Sequence, residues 1–300
     1  MLTGILAGLA AGALWGLGFV APRMTPGLSS VDLAAGRFVS YGAMAVAVMA
    51  FSWSRHQRPT LDQALAALGM SVLGFTGYYL LLVLAIHDTG TEVPALIIGT
   101  IPIWVMLLGK PLGLKWSSLL PGLVLTAAGL ALMMNATFAA PLLVPAPSGN
   151  HYWQGVFLAV LAMVCWTAFA LLNAAWLKRH PEVSATEWAN WLGIATGIGA
   201  LLLWLLAGSE PQALLAIEQP VLTAIICIAT GVGSTWAATI FWNMASQRLS
   251  PSLCGQLIVS ETLFALLYSF MWDRAWPGVL QLLAAVLFTL GILASIRAHR

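Results

Sequence analysis

Apolar residues fill the chain in runs of about 20, separated by short polar breaks, and about 20 is the length of helix that crosses a bilayer. The runs fall near 3–21, 31–52, 64–86, 92–109, 116–136, 153–177, 186–207, 219–245, 251–272 and 276–296. This pattern predicts an all-α integral membrane protein of ten transmembrane helices. Residues 22–30, 54–60, 140–150 and 208–211 are the punctuating loops. The fourth run is short and holds Pro94 and Pro102, each of which removes a helical N–H. No Lys or Arg precedes the first run, so the basic start of a secretory signal is missing and the run reads as a retained helix.

Charge placement orients the spans. With the N-terminus in the cytoplasm, the cytoplasmic loops and tail hold Arg55, Arg58, Lys110, Lys115, Lys178, Arg179, Arg248, Arg297 and Arg300. The outer loops hold only Arg23 and Arg274, a positive-inside bias. Asp88, Glu92, Glu210, Glu218 and Asp273 then fall outside, although they took no part in the choice. Both termini are expected in the cytoplasm.

The halves of the chain resemble each other. Leu14-Trp15-Gly16-Leu17-Gly18-Phe19 of the first span parallels Cys165-Trp166-Thr167-Ala168-Phe169 of the sixth, and 74–108 lies over 234–268 at an offset of 160. Ala85 then meets Ala245, Ile98 meets Ile258, Pro102 meets Thr262, and Gly129 of the fifth span meets Gly291 of the tenth. Five spans is an odd number, so the second copy enters the membrane upside down, the inverted-repeat plan of many secondary transporters. The expected organisation is a first five-helix repeat at 1–139, an outer linker at 140–152 and a second, inverted repeat at 153–300.

These features resemble the drug/metabolite transporter superfamily of EamA type. The likeness is carried by Trp15-Gly16 with Phe19, by Arg37-Phe38 in the second span and by the paired halves. The segment from Arg248-Leu249-Ser250-Pro251 to Ser260-Glu261-Thr262 is similar to the corresponding helix of YddG-type aromatic amino-acid exporters. The resemblance implies a bacterial inner-membrane exporter with a central cavity between its halves. Two departures stand out: Pro22-Arg23 where many relatives carry a Lys, and Thr262 where many carry a proline.

Composition narrows the chemistry. The chain is 60% hydrophobic and 7% charged, against roughly 25% charged in soluble domains, so water alone does not solvate it. A net charge of +2 with no basic run points away from nucleic acid. Cys165, Cys227 and Cys254 stand singly in apolar segments and read as packing residues. No P-loop, H-E-x-x-H or G-x-S-x-G motif occurs, and nothing calls for a metal or cofactor. Trp53, Trp116, Trp153, Trp272 and Trp276 fit interfacial belts.

Glu261 is the one acid deep within a span, and its cost in hydrocarbon requires a cavity, a partner or a proton. It reads either as a coupling or amine-binding group or as a structural acid. Arg37 reads as a structural cation shallow enough to snorkel. Thr235, Thr239, Trp242 and Ser246 share one face of the eighth span, overlapped by Trp236 and Asn243. Gln256 and Ser260 lie one turn apart on the ninth, and one of Tyr78 and Tyr79 on the third is expected to face inward. Trp15 and Trp166 occupy repeat-related positions. Gly4, Gly8, Gly12 and Gly16 form a ladder suited to close helix packing or to sliding.

The residues expected to bind substrate are Tyr78, Trp166, Thr239, Trp242, Asn243, Gln256 and Ser260, with Glu261 as a coupling group. The expected function is export of amino acids, aromatic and other large neutral ones above all, by alternating access. With Glu261 the only charge read as deep, strongly anionic substrates are disfavoured. The rival readings are a multidrug or metabolite exporter of the same superfamily and an intramembrane enzyme using Glu261 and His87. The expected partners are the lipid bilayer and a small-molecule substrate, and a monomer is compatible with the reading.

Overall fold

The computed structural model describes residues 1–51, 59–138, 150–274 and 276–300. Arg55, Arg58, Trp53 and most of the expected linker lie outside the described residues. Every regular element among those described is helical. The main helices are α1 (Leu2–Leu17), α2 (Ser30–Phe51), α3 (Leu61–Thr89), α4 (Glu92–Leu108) and α5 (Trp116–Phe138). They continue with α6 (Asn150–Arg179), α7 (Ala185–Ala207), α8 (Pro220–Arg248), α9 (Pro251–Asp273) and α10 (Val279–Ala298). Helix α6 starts at Asn150, so the last residues of the expected 140–152 linker are helical.

Among the described residues, nine helices are long and apolar enough to cross a membrane, and α4 is a shorter apolar helix. It also carries an internal break with a local cause. Pro102 brings no N–H to the helix, and Thr100 turns both its N–H and its hydroxyl onto the Ile97 carbonyl, at 3.1 and 2.6 Å. The helix breaks into two segments around that residue.

Side chains close several helix starts. Thr60 and Gln63 form a capping box before α3, while Ser184 and Ser250 accept the Glu187 and Leu253 N–H groups at 3.1 and 3.2 Å before α7 and α9. Helices α3 and α8 each widen into a π-helical stretch, at Val72–Thr76 and Thr230–Ala237.

Helix pairing defines the bundle: α2 with α7, α5 with α10, α4 with α9, α1 with α8 and α9, α3 with α6 and α7, α2 with α8, and α4 with α6. Between helices in lipid there is little water to expel, so close contact and hydrogen bonds hold the pairs. Helices α2 and α7 meet at glycine: a methyl on Gly197 would lie 2.9 Å from the Gly42 Cα. The Tyr41 hydroxyl donates to the Ala189 carbonyl at 2.6 Å beside that contact. The glycine ladder of α1 lies along α9, where a methyl on Gly16 would come 2.9 Å from the Ala265 nitrogen. This places Glu261 beside α1.

The two ends of the bundle differ. At one, called distal here, Arg23 pairs with Asp273 at 2.9 Å, and Asp32 accepts the Ser209 N–H and hydroxyl at 2.9 and 2.6 Å. The other, proximal end holds the start of α1, the end of α10, and Lys110, Lys178 and Arg248.

Candidate functional site

Helix α9 changes character along its length. Residues 252–260 are all buried, whereas Glu261 and the three residues after it keep accessible surface. The proximal half of α9 is therefore packed into the bundle, and burial loosens from Glu261 onward. Glu261 keeps part of its surface accessible. It has no hydrogen-bond partner among the described residues.

Arg37 turns towards α8 and the end of α1 and is hydrogen-bonded there, in place of the expected reach to the interface. Its Nε donates to the Thr235 hydroxyl at 2.6 Å, its guanidinium carbon sits 5.5 Å from the Phe38 ring centre, and Gly18 leaves room for it. Arg37, Glu261, Tyr78 and Tyr79 lie close enough to act on one another electrostatically. No ion pair within 4.0 Å joins Arg37 to Glu261 among the described residues. Arg37 and Glu261 are thus neighbours without direct contact. Glu261 is not the only deep charge, as the sequence reading had it.

The two tyrosines divide their roles. Tyr79 donates to the Ser30 carbonyl at 2.9 Å and packs edge-on against Phe38, while Tyr78 keeps its hydroxyl without a protein partner among the described residues. Towards the proximal end, three tryptophans from three helices form an aromatic layer. The Trp15 ring centre lies 6.2 Å from Trp166 and 5.4 Å from Trp242, and Trp166 lies 6.1 Å from Trp242. Trp242 follows Thr235 by two helical turns, about 10 Å along α8, so the layer lies proximal to Arg37. Trp15 and Trp166 retain accessible surface, and Trp242 is enclosed.

The other expected site residues lie within the packed region. The predicted stripe on α8 is real, since Thr235, Thr239, Trp242 and Ser246 are all buried. Asn243 accepts from the Asn173 amide at 3.1 Å and donates to the Ala185 carbonyl at 3.3 Å. Asn173 in turn accepts the Trp188 indole N–H at 2.6 Å. Gln256 donates to the Thr126 hydroxyl at 2.9 Å and accepts from Ser295 at 3.0 Å, tying α9 to α5 and α10. Ser260 donates to the Leu257 carbonyl at 2.7 Å, and Thr239 is buried beside Tyr41. In this conformation Asn243 and Gln256 bond helix to helix, Ser260 bonds within α9, and the buried Thr239 hydroxyl and Trp242 indole N–H have no hydrogen-bond partner among the described residues, while Arg37, Tyr78, Glu261, Trp15 and Trp166 keep accessible surface.

Arg37, read from the sequence as a structural cation, bonds α2 to α8 through Thr235. His87, the suggested catalytic partner of Glu261, is 84% exposed and pairs with Asp88 at 2.9 Å.

Known proteins resemble this chain along its length. The model of the EamA-like transporter family matches residues 2–135. Over 310 aligned residues the chain is 31% identical to inner membrane protein YtfF of Escherichia coli (strain K12), across 99% of this chain and 96% of that protein. A crystal structure of a protein 19% identical superposes with a TM-score of 0.75, covering 99% of this chain and 98% of the other. That likeness speaks for the fold alone.

Proposed function

The chain belongs to the EamA-like transporter family of the drug/metabolite transporter superfamily, and from that premise we propose that it exports amino acids from the cytoplasm by alternating access. It is a multi-pass inner-membrane transporter; the substrate, direction and repeat plan are the proposal. One observation carries the substrate class: Arg37 and Glu261 are electrostatic neighbours of each other and of Tyr78, form no ion pair with each other, and both keep accessible surface. A zwitterion brings a carboxylate for the guanidinium and an ammonium for the carboxylate, so desolvation of all four charges is compensated. A dianion would meet Arg37 but also the like charge of Glu261. The tryptophans and Tyr78 suit an apolar or aromatic side chain, and such contacts discriminate weakly, about 1–3 kcal/mol per methylene. Thr239, Trp242, Asn243, Gln256 and Ser260 would join the site in the conformation that opens the proximal half.

The proposal includes ten spans in two inverted repeats, 1–139 and 153–300, joined by the 140–152 linker. Exchanging each helix for the one five places along maps α1 with α9 onto α6 with α4, and α3 with α6 onto α8 with α1. It maps α2 with α8 onto α7 with α3, and leaves α2 with α7, α4 with α9, and α5 with α10 paired as before. The sequence offset of 160 also carries the π-helical Val72–Thr76 into Thr230–Ala237. Trp15 and Trp166, related by the same duplication, touch each other. With the proximal end cytoplasmic, cysteines introduced at 145 and 180 should be labelled from opposite sides of the membrane. Labelling of both from one side overturns the ten-span plan.

The function is tested by exchange in one reconstituted preparation, with phenylalanine, methionine, threonine and a hexose phosphate compared. Phenylalanine and methionine should exchange well, threonine more slowly, and hexose phosphate not at all. Exchange of hexose phosphate with no amino acid transported would sink the proposal. Transport of organic cations alone would favour the multidrug reading.

A further inference from the structure

We infer that the proximal end carries a second site, distinct from the central space, for an anionic phosphate group. A cleft of about 630 Å³ opens where the end of α4, the end of α6 and the α8–α9 turn come together. Lys110, Lys178 and Arg248 line it together with Ser250, Leu171 and Leu249. No acid lines the cleft, and none of the three cations has an ion pair within 4.0 Å among the described residues.

Three like charges around one concavity repel, and the repulsion grows as the helices that carry them close together. Their present contacts do not cancel the charge. Lys110 donates to the Pro111 carbonyl at 3.2 Å and lies 4.9 Å from the Trp116 ring centre, and Arg248 donates to the Met244 carbonyl at 3.2 Å. Both keep further N–H groups free to donate. The start of α9, directly behind Ser250, adds the positive end of a helix dipole. A phosphate oxygen seated among these groups would turn mutual repulsion into attraction, and the leucine floor would accept an attached apolar portion.

The site is separated from the central one by the buried residues 252–260 of α9. The Ser252 N–H donates to the Gly109 carbonyl at 3.1 Å, so the α4 end and the α9 start touch at the edge of the cleft. An anion that bridges Lys110 to Lys178 and Arg248 holds these elements together and favours the conformation closed at this end. The headgroup of an acidic phospholipid and a free phosphate share the required chemistry.

The test uses the purified full chain in neutral detergent, titrated separately with short-chain phosphatidylglycerol and with inorganic phosphate, and reads the thermal midpoint. A saturable rise is expected. The exposed double replacement Lys178→Gln/Arg248→Gln should weaken it by at least about tenfold in apparent affinity, since it removes two charged contacts. Arg297→Gln, outside the cleft, should shift affinity less than about twofold. A response to phosphatidylglycerol alone identifies the lipid headgroup, and an equal response to phosphate identifies the free anion. If the double variant does not fold, the wild-type titration is repeated with salt raised from about 50 to about 500 mM, which should screen the attraction and weaken binding. No saturable response to either probe, a response that survives the double replacement, or one indifferent to salt overturns the site.

Discussion

Glu261→Gln and Arg37→Gln should each cut amino-acid exchange by roughly 30- to 1,000-fold, the equivalent of losing about 2–4 kcal/mol from a charged contact with the substrate. Each single replacement also leaves the other charge enclosed without its opposite, so the thermal midpoint should fall as well. The double replacement Arg37→Gln/Glu261→Gln removes both charges together. It should restore much of the lost stability, because neither charge is then stranded. Transport should stay lost, because a zwitterion would have to leave water with nothing to meet its ends. Midpoint and exchange must be read on the same preparations. Recovery of transport together with stability would reduce the pair to a structural role.

Gln256→Ala is the second large effect, and it should act through stability. Its amide holds Thr126 on α5 and Ser295 on α10, both buried, and the side chain itself has no accessible surface. Alanine leaves two hydroxyls without their partner and a cavity in their midst, costing about 2–4 kcal/mol. The expected result is a lower melting midpoint and reduced exchange of every substrate in parallel. A normal midpoint with selective loss of one substrate would contradict the structural assignment.

The residues differ in how much the sequence reveals about them. The spans were legible because hydrocarbon forbids unpaired backbone groups, so each crossing must be a long apolar helix that announces itself. The break within α4 was legible in Pro102, whose missing N–H acts locally. The α8 stripe was legible too, since helical periodicity alone puts Thr235, Thr239, Trp242 and Ser246 on one face.

What a buried face touches was not legible. Arg37 was read as snorkelling because its place along α2 gives depth but not direction. Its hydrogen-bond partner, Thr235, lies 198 positions away on α8. Gln256 and Asn243 looked like cavity residues because an amide in an apolar helix must be satisfied by something, and a ligand and a neighbouring helix look alike from one strand of sequence. Only tertiary structure decides between them, through how near the helices come. The glycine ladder of α1 against α9 and the Gly42–Gly197 contact of α2 with α7 set those distances. Apolar periodicity is a property of one helix and could be read from the chain. The neighbourhood of Arg37 and Glu261 is made by several helices, and it exists only once they are packed.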